Sequence, residues 1–254
     1  MNILISSLIV TFFTTSFLKA AELVSVPKGE IEAIWLSPVS KKAKAQSNLV
    51  VITVNSFKAH VFPVTVAQFK EFLVKHPEWS KNNKSSLFKD EYYLRDLETA
   101  PEKAPVTFVT WFAAKAYCES HGLRLPTVNE WEYAAAASES KKNANREEEF
   151  LRRILNWYGE PQGEKLKDVG SIYKNVYGIW DMHGLIWEWV DDFNSSFVTG
   201  ESREDSSFNK DMFCGAGALS SADKENYAAF MRFAFRSGLK GKSAVWNLGF
   251  RCVN

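Results

Sequence analysis

Residues 177–193 read YGIWDMHGLIWEWVDDF. It combines three tryptophans with four acidic residues, namely Trp180, Trp187, Trp189, Asp181, Glu188, Asp191 and Asp192. A carboxylate is unfavourable inside a protein unless it is paired, hydrogen-bonded or bound to a metal ion. The remainder of the chain must therefore supply partners for these acids, or the acids must hold a ligand.

The N-terminal segment is typical of an export signal. Residues 1–20 read MNILISSLIVTFFTTSFLKA, contain no acid and have Lys19 as their only basic side chain. The segment is too short and too polar to span a bilayer, and Ala20 and Ala21 offer small residues for cleavage before Glu22. We predict a signal peptide over residues 1–20, one domain over residues 22–254, and a periplasmic or secreted protein without a stable membrane span after cleavage.

Composition narrows the class of protein. The chain has 31 basic and 30 acidic side chains and is 46% hydrophobic, which is enough for a packed core and gives no indication of nucleic-acid binding. It contains three cysteines, Cys118, Cys214 and Cys252. In an exported chain one disulfide and one odd thiol is the simplest arrangement, although the cysteines could also be small buried apolar residues. The sequence does not indicate which two would pair.

Local signals predict short strands first and helices afterwards. The segments ELVSVPKGEIEAIWL (22–36) and NLVVITVNSFKAHVFPVT (48–65) are typical of strands, with a turn at residues 27–29. Thr65 can cap a helix VAQFKEFLVKH, and Thr110 can cap a helix WFAAKAYCESH that ends near Gly122. Thr127 and Glu130 form a capping-box pattern that opens a third helix, WEYAAAAS.

The second half of the chain gives weaker signals. Residues 139–153 are strongly charged, and we predict a solvated segment that is helical at most. From Asn156 onward, glycine, asparagine, aspartate and aromatic residues favour turns that join short strands. The pattern as a whole predicts a compact α+β domain with much irregular structure.

Four segments together resemble one known family. They are PVTFVTWFAAKAYCESHGLRLPTVNEWEYAA (105–135), NVYGIWDMHGLIWEWVDDF (175–193), RFAFRSG (232–238) and NLGFRCV (247–253). In this order they resemble the formylglycine-generating enzymes, also called sulfatase-modifying factors. The resemblance implies an α+β domain with the formylglycine-generating-enzyme fold, a loop-rich variant of the C-type lectin fold with few regular elements.

The family's chemistry requires residues that this chain lacks. The enzymes oxidise a cysteine of an unfolded sulfatase to formylglycine with oxygen and Cu(I), and two cysteines hold the copper because Cu(I) prefers soft thiolates. The corresponding segment here, SSADKENYAAFM (220–231), has no cysteine or histidine, and the resemblance places Asp223 and Ala228 near the two thiolate positions. Cys214 is the only substitute candidate. We therefore predict that the protein is a divergent member of this family that lacks the copper-binding cysteine pair and does not use copper.

A related branch of the superfamily uses iron held by histidines. The four histidines here are scattered and form no helical HxxxH pair, so the sequence does not support an iron site; they are His60, His76, His121 and His183.

The resemblance also implies a structural calcium ion in the opening segment. The ligands would be the side chain of Asp181, the backbone carbonyls of Gly184 and Ile186, and the carboxylate of Glu188. Calcium takes oxygen ligands of these kinds, and Gly184 permits a sharp turn. The alternative is that the carboxylates accept hydrogen bonds from loop amides. Leu185 departs from the family, which usually has asparagine at this position.

Other residues of the family pattern have expected structural roles. Trp187 lies where the family lines its active-site cleft, although a tryptophan at this position can equally belong to the core. We expect Arg236 and Arg251 to form ion pairs in the framework, with Glu130, Glu132 and Asp181 as possible partners.

The leading hypothesis for function is a binding module. We predict an exported domain without copper chemistry that acts as a binding or accessory module in maturation, with a protein or peptide partner. The alternative is a formylglycine-generating-type oxidoreductase using Cys214, or a different enzyme chemistry in the same cleft. The sequence assigns no catalytic residue.

Overall fold

The computed structural model describes residues 22–33, 50–83, 85–159, 166–194 and 221–254. Its helices are α1 (Val66–Lys75), α2 (Trp111–Ser120), α3 (Val128–Ala135), α4 (Glu148–Gly159) and α5 (Ser221–Ser237). Its strands are β1 (Leu23–Val26), β2 (Gly29–Glu32), β3 (Val51–Val54), β4 (Phe57–His60), β5 (Trp187–Glu188) and β6 (Leu248–Gly249). A 3-10 turn covers Pro77–Trp79. Short strands, helices and long loops confirm the predicted loop-rich α+β class.

The strands form pairs. β1 lies antiparallel to β4 and β2 lies antiparallel to β3, so the turn predicted at residues 27–29 separates two strands of different sheets. Gly29, the last residue of the predicted turn, already belongs to β2. β5 lies parallel to β6, with Trp187 opposite Leu248 and Glu188 opposite Gly249. This last pairing joins the opening segment to the C-terminal segment of the chain.

The first three helices begin at the predicted caps. The side chains of Thr65 and Thr127 accept hydrogen bonds from the backbone amides of Gln68 and Glu130, and both capping boxes are complete. Thr110 caps α2 in the same way but without the reciprocal bond. Gly122 follows α2 with a φ of 69°, which is the left-handed conformation expected after a helix.

The last two helices correct the expectations for the second half of the chain. Residues 148–159 form α4, whose Phe150, Leu151 and Ile154 are buried, so this charged segment is only partly solvated. Residues 221–237 form a helix of 17 residues where turns and short strands were expected. The prediction was wrong because α5 forms largely by packing of its later residues against α3 and α4, which local propensity does not show.

The core lies between the helices and the C-terminal segment. Phe69 of α1, Tyr117 of α2 and Phe250 pack together with ring centroids 5.3–6.2 Å apart. A disulfide joins Cys118 of α2 to Cys252, and both residues are fully buried. Of the two alternatives left open for the cysteines, the structure has the disulfide, and it identifies the pair. Within the described ranges, no helix combines the length and the apolar character needed to cross a membrane.

Candidate functional site

The carboxylate of Glu188 is buried and paired with an arginine. The pairing of β5 with β6 brings Glu188 beside the strand that precedes Arg251. Arg251 Nε donates to both carboxylate oxygens, at 3.0 and 2.8 Å, and Nη2 donates to Oε1 at 2.7 Å. Trp131 Nε1 donates to Oε2 at 2.7 Å. Both oxygens of Glu188 therefore have protein donors.

Arg251 is also bonded to the backbone. Its Nη2 donates to the carbonyl of Trp180 at 2.9 Å and its Nη1 to the carbonyl of His60 at 3.2 Å. The residue is only 2% exposed. The expected ion-paired role of Arg251 is confirmed, but its partner is Glu188, which was not among the three acids considered for it.

Asp181 contacts a different loop. It is fully buried, and its two carboxylate oxygens accept hydrogen bonds from the backbone amides of Gly170 and Ile172, the latter at 2.9 Å. Burial raises the pKa of the Asp181 carboxyl, and the two amide bonds act in the opposite direction. Its φ of 61° is uncommon for a residue other than glycine, although aspartate tolerates it better than most. Through these two hydrogen bonds, Asp181 holds the loop of residues 170–172 against the segment that contains Asp181.

The turn expected at Gly184 is present. Gly184 has a φ of 101°, and a Cβ atom there would lie 2.8 Å from Cγ2 of Ile172. Only glycine therefore fits without a shift of the neighbouring loop. Ile186, two residues later, is buried in the domain.

We tested whether these four residues fit a calcium ion. Calcium takes about six to eight oxygen ligands, and carboxylates are prominent among them. Here the carboxylate of Glu188 is bonded to a guanidinium and an indole, and that of Asp181 to two amides. Among the described residues, no three His, Cys, Asp or Glu side chains are grouped closely enough to hold a metal ion. The two predicted carboxylates are thus satisfied by protein donors, and in this arrangement they do not fit the role of calcium ligands.

A second buried acid lies on α3. Glu132 accepts from Arg232 Nε at 2.9 Å, from Arg232 Nη2 at 2.6 Å and from Arg236 Nη1 at 2.8 Å. The two arginines are one turn apart on α5, and Arg232 Nη1 also donates to the hydroxyl of Tyr158 at 3.2 Å. Burial acts to raise the pKa of Glu132, but the two arginines hold it below its usual value. The expected pair of Arg236 with Glu132 is confirmed.

Trp131 connects the two acid–arginine groups. Its indole N–H donates to Glu188, while the guanidinium carbon of Arg236 lies 4.8 Å from the centroid of its ring. A guanidinium over an indole face is attracted by the ring quadrupole. A single tryptophan next to Glu132 in the chain therefore contacts both groups.

The ring of Trp187 belongs to an aromatic cluster. Phe235 of α5 stacks on it with centroids 4.5 Å apart and an interplanar angle of 22°, and Tyr158 of α4 stacks at 5.0 Å and 18°. Trp157 lies 5.1 Å away. Trp187 was predicted as a cleft-lining residue, and its described contacts are with rings of the same chain. Its role in a cleft stays a prediction.

The predicted thiolate positions lie on α5. Ala228 is buried, at 2% exposure, and the backbone from residue 223 to residue 228 is helical. Five residues in a helix span about 140° around its axis and about 7.5 Å along it. Cys252 is bonded to Cys118 in the disulfide and so offers no free thiolate, while Cys214 lies outside the described residues.

Two histidines are buried in uncharged form. The Nε2 of His183 donates to the carbonyl of Ala135 at 3.1 Å, and its Nδ1 has no hydrogen-bond partner among the described residues. Burial lowers the pKa of His183 to about 3. Burial and the charge of Arg251 lower the pKa of His60 to about 4.

A comparison with models of known protein families assigns the chain to one family. The model of the sulfatase-modifying factor enzyme 1-like domain matches residues 11–254. The chain belongs to this sulfatase-modifying factor family. The resemblance drawn from the four sequence motifs is therefore confirmed.

Relatives of this sulfatase-modifying factor domain include one protein named as a formylglycine-generating enzyme and one named as inactive. It is 27% identical over 280 residues to the bovine (Bos taurus) "Inactive C-alpha-formylglycine-generating enzyme 2", covering 93% of this chain and 89% of the bovine protein. It is 32% identical over 168 residues to the formylglycine-generating enzyme of Streptomyces coelicolor, covering 59% of this chain and 52% of that enzyme. The chain thus matches about half the length of the bacterial enzyme.

Solved structures support the same fold. PvdO from Pseudomonas aeruginosa superposes with a TM-score of 0.50 at 16% identity, covering 92% of this chain and 94% of PvdO. CarF superposes with the same TM-score and identity, covering 92% of this chain and 98% of CarF. At this identity the likeness shows the fold alone.

Sequence reasoning missed several members of the site. The bonds of Glu188 to Arg251 and of Trp131 to Glu188 join residues 63 and 57 positions apart, and no local pattern indicates them. The role of Arg232 could have been found, because Arg232 and Arg236 are four residues apart and would share one helix face. That signal requires the segment to be recognised as a helix.

Proposed function

We propose that this chain is an exported, copper-independent binding or accessory module of the sulfatase-modifying factor family. Its partner is a protein or peptide, as the family's action on unfolded polypeptides suggests, and it works in the periplasm or outside the cell. The observation that carries the proposal is the helical segment at the family's thiolate positions. This segment offers Ala228 and Asp223 in place of two cysteines.

The geometry of α5 supports the loss of copper chemistry independently of composition. Two ligands to one Cu(I) ion must converge on a single point. Positions 223 and 228 lie about 140° apart around a helix axis, so they do not share a face. Cysteines placed there would still need the helix to unwind before both could bind one ion.

The surroundings of Trp187 support a change of role for the cleft. Where the family lines its active site, this chain stacks Phe235 and Tyr158 on the tryptophan ring. Phe235 comes from the helix that would otherwise carry the copper ligands. The same helix that lacks the thiolates thus also fills space beside Trp187.

Two further observations support parts of the proposal. The Cys118–Cys252 disulfide is of the kind that forms and persists in oxidising compartments, which agrees with export. Of the two relatives named above, the bovine protein matches the larger share of this chain, and it is named inactive.

Mass spectrometry of the protein recovered from its native host tests export, because cleavage after the predicted signal would leave an N-terminus near Glu22.

Copper titration and a peptide assay together test the proposal. The protein is titrated anaerobically with Cu(I) against a competing chelator, without a thiol reductant, so that the Cys118–Cys252 disulfide stays closed. A fluorescent, unfolded cysteine-containing peptide of the sulfatase type is then added in air, and its anisotropy and the oxygen consumption are recorded. The Streptomyces coelicolor enzyme serves as the active control, and Cys214→Ser as the matched variant.

The proposal expects neither stoichiometric Cu(I) binding nor oxygen consumption, together with saturable binding of the peptide. Tight Cu(I) binding that disappears in Cys214→Ser, or oxidation of the peptide cysteine, would establish the alternative oxidoreductase. Absence of both peptide binding and oxidation would exclude an unfolded sulfatase peptide as the partner.

A further inference from the structure

Six charged residues form one buried set, which we call the buried charge network. It consists of three acids and three arginines, Glu132, Asp181, Glu188, Arg232, Arg236 and Arg251. All six are buried, and Trp131 contacts both acid–arginine groups. Asp181 interacts electrostatically with both Arg251 and Glu188, so it belongs to the same set. The formal charges of the network balance.

The donors that hold the acids come from the protein. Glu188 accepts from Arg251 and from Trp131, and Asp181 accepts from two backbone amides. Arg251 also donates hydrogen bonds to two backbone carbonyls, from Nη1 to that of His60 and from Nη2 to that of Trp180. A guanidinium with this fork geometry satisfies a carboxylate on both oxygens at once.

A calcium ion would disturb this balance. Added to a neutral buried set, it would leave an excess of two positive charges away from water, which is strongly unfavourable. If instead it took Glu188 and Asp181 as ligands, Arg251 would lose the carboxylate with which it pairs among the described residues, and its guanidinium lies in a buried position. Either way, a buried charge would be left without its counterpart.

From these contacts we infer that Arg251 is the built-in cation of this site. Its guanidinium neutralises Glu188 and joins the segment just after β6 to the turn that ends at Glu188. The domain therefore folds without a bound calcium ion. This inference is independent of the proposed function, because calcium content and Cu(I) binding report on different residues.

Metal content and melting temperature of the unmodified protein provide the decisive test. The full chain is expressed with calcium in the medium, purified by gel filtration without chelator, and analysed by inductively coupled plasma mass spectrometry. A tightly held ion would be counted directly, and a weakly held one would raise the melting temperature when calcium is added. We expect no stoichiometric calcium and the same melting temperature with calcium as with a chelator.

Variants test the role of Arg251 itself. Arg251→Gln leaves Glu188 buried without its counter-ion, so we expect a fall in melting temperature several times larger than for Arg124→Gln. Arg124 is the matched control because it also binds a glutamate, Glu130, through two N–H groups, at 2.7 and 2.6 Å, but its side chain is 44% exposed. The double variant Arg251→Gln/Glu188→Gln should recover part of the loss.

Specific results would overturn the inference. One calcium ion per chain, or a chelator-induced fall in melting temperature that Asp181→Asn abolishes, would show that the metal is present and ligated as the family pattern implies. A double variant less stable than Arg251→Gln would show that a cation other than Arg251 balances the charge of Glu188. If Arg251→Gln does not fold, the metal analysis of the unmodified protein still decides the question.

Discussion

Removal of the Cys118–Cys252 disulfide should destabilise the domain strongly. The bond closes a loop of 134 residues, and it joins α2 to the segment just after β6. In the chain-entropy model a loop of this length is worth about 5 kcal/mol, mainly through the unfolded state. For a domain of this size, such a loss corresponds to a melting temperature lower by about 10–20 °C. Because domains are stable by only about 5–15 kcal/mol, the variant should be close to unfolding.

The experiment compares urea unfolding of the unmodified protein with that of Cys118→Ala/Cys252→Ala, each with and without a reductant. The unmodified protein should lose stability on reduction, the double variant should not respond, and Cys214→Ala should respond like the unmodified protein. Thiol titration in denaturant without reductant should find one free thiol, since two of the three cysteines are bonded. Three free thiols, or a loss below about 1 kcal/mol, would refute the reasoning.

Three further predictions follow from the site. Glu132→Gln leaves two buried arginines without their carboxylate and should cost about 3–5 kcal/mol in urea unfolding; a loss below about 1 kcal/mol would contradict the pairing. Gly184→Ala forces an L-residue into a φ of 101° against Ile172 and should lower the melting temperature, so an unchanged value would argue against this turn. His60 and His183 have folded pKa values below their unfolded values, so the unfolded chain binds more protons between about pH 6.5 and pH 4. The free energy of unfolding should fall as pH is lowered through this window, by up to about 1.4 kcal/mol per pH unit for each histidine, and His183→Gln should reduce the slope.

Local chemistry predicted those elements whose boundaries depend on local bonds. The caps at Thr65, Thr110 and Thr127 each satisfy an amide three residues later, so a short window of sequence contains both partners. The same holds for Gly122, where the chain needs a left-handed residue at a helix end. Helices that begin at such caps could therefore be predicted correctly.

The parts that sequence reasoning missed depend on distant partners. α5 carries Arg232 and Arg236, whose buried charges are stabilised by Glu132, about 100 residues earlier. The short-range pattern of this segment therefore predicted turns and short strands, although an ion pair of Arg236 with Glu132 was expected from the family resemblance. The pairing of Glu188 with Arg251 was missed for the same reason, because only the parallel contact of β5 with β6 brings them together.

The buried charge network also explains how family membership and family chemistry can separate. Each motif that carries the resemblance contributes to it: Glu132 lies in residues 105–135, Asp181 and Glu188 in 175–193, Arg232 and Arg236 in 232–238, and Arg251 in 247–253. The two thiolate positions lie outside all four motifs. Loss of one partner in the network would leave a buried charge unpaired, whereas loss of a copper ligand on α5 leaves only a buried methyl group at Ala228. The demands of folding can therefore preserve the framework whether or not the copper ligands are present, and motif resemblance in this family reports the framework first.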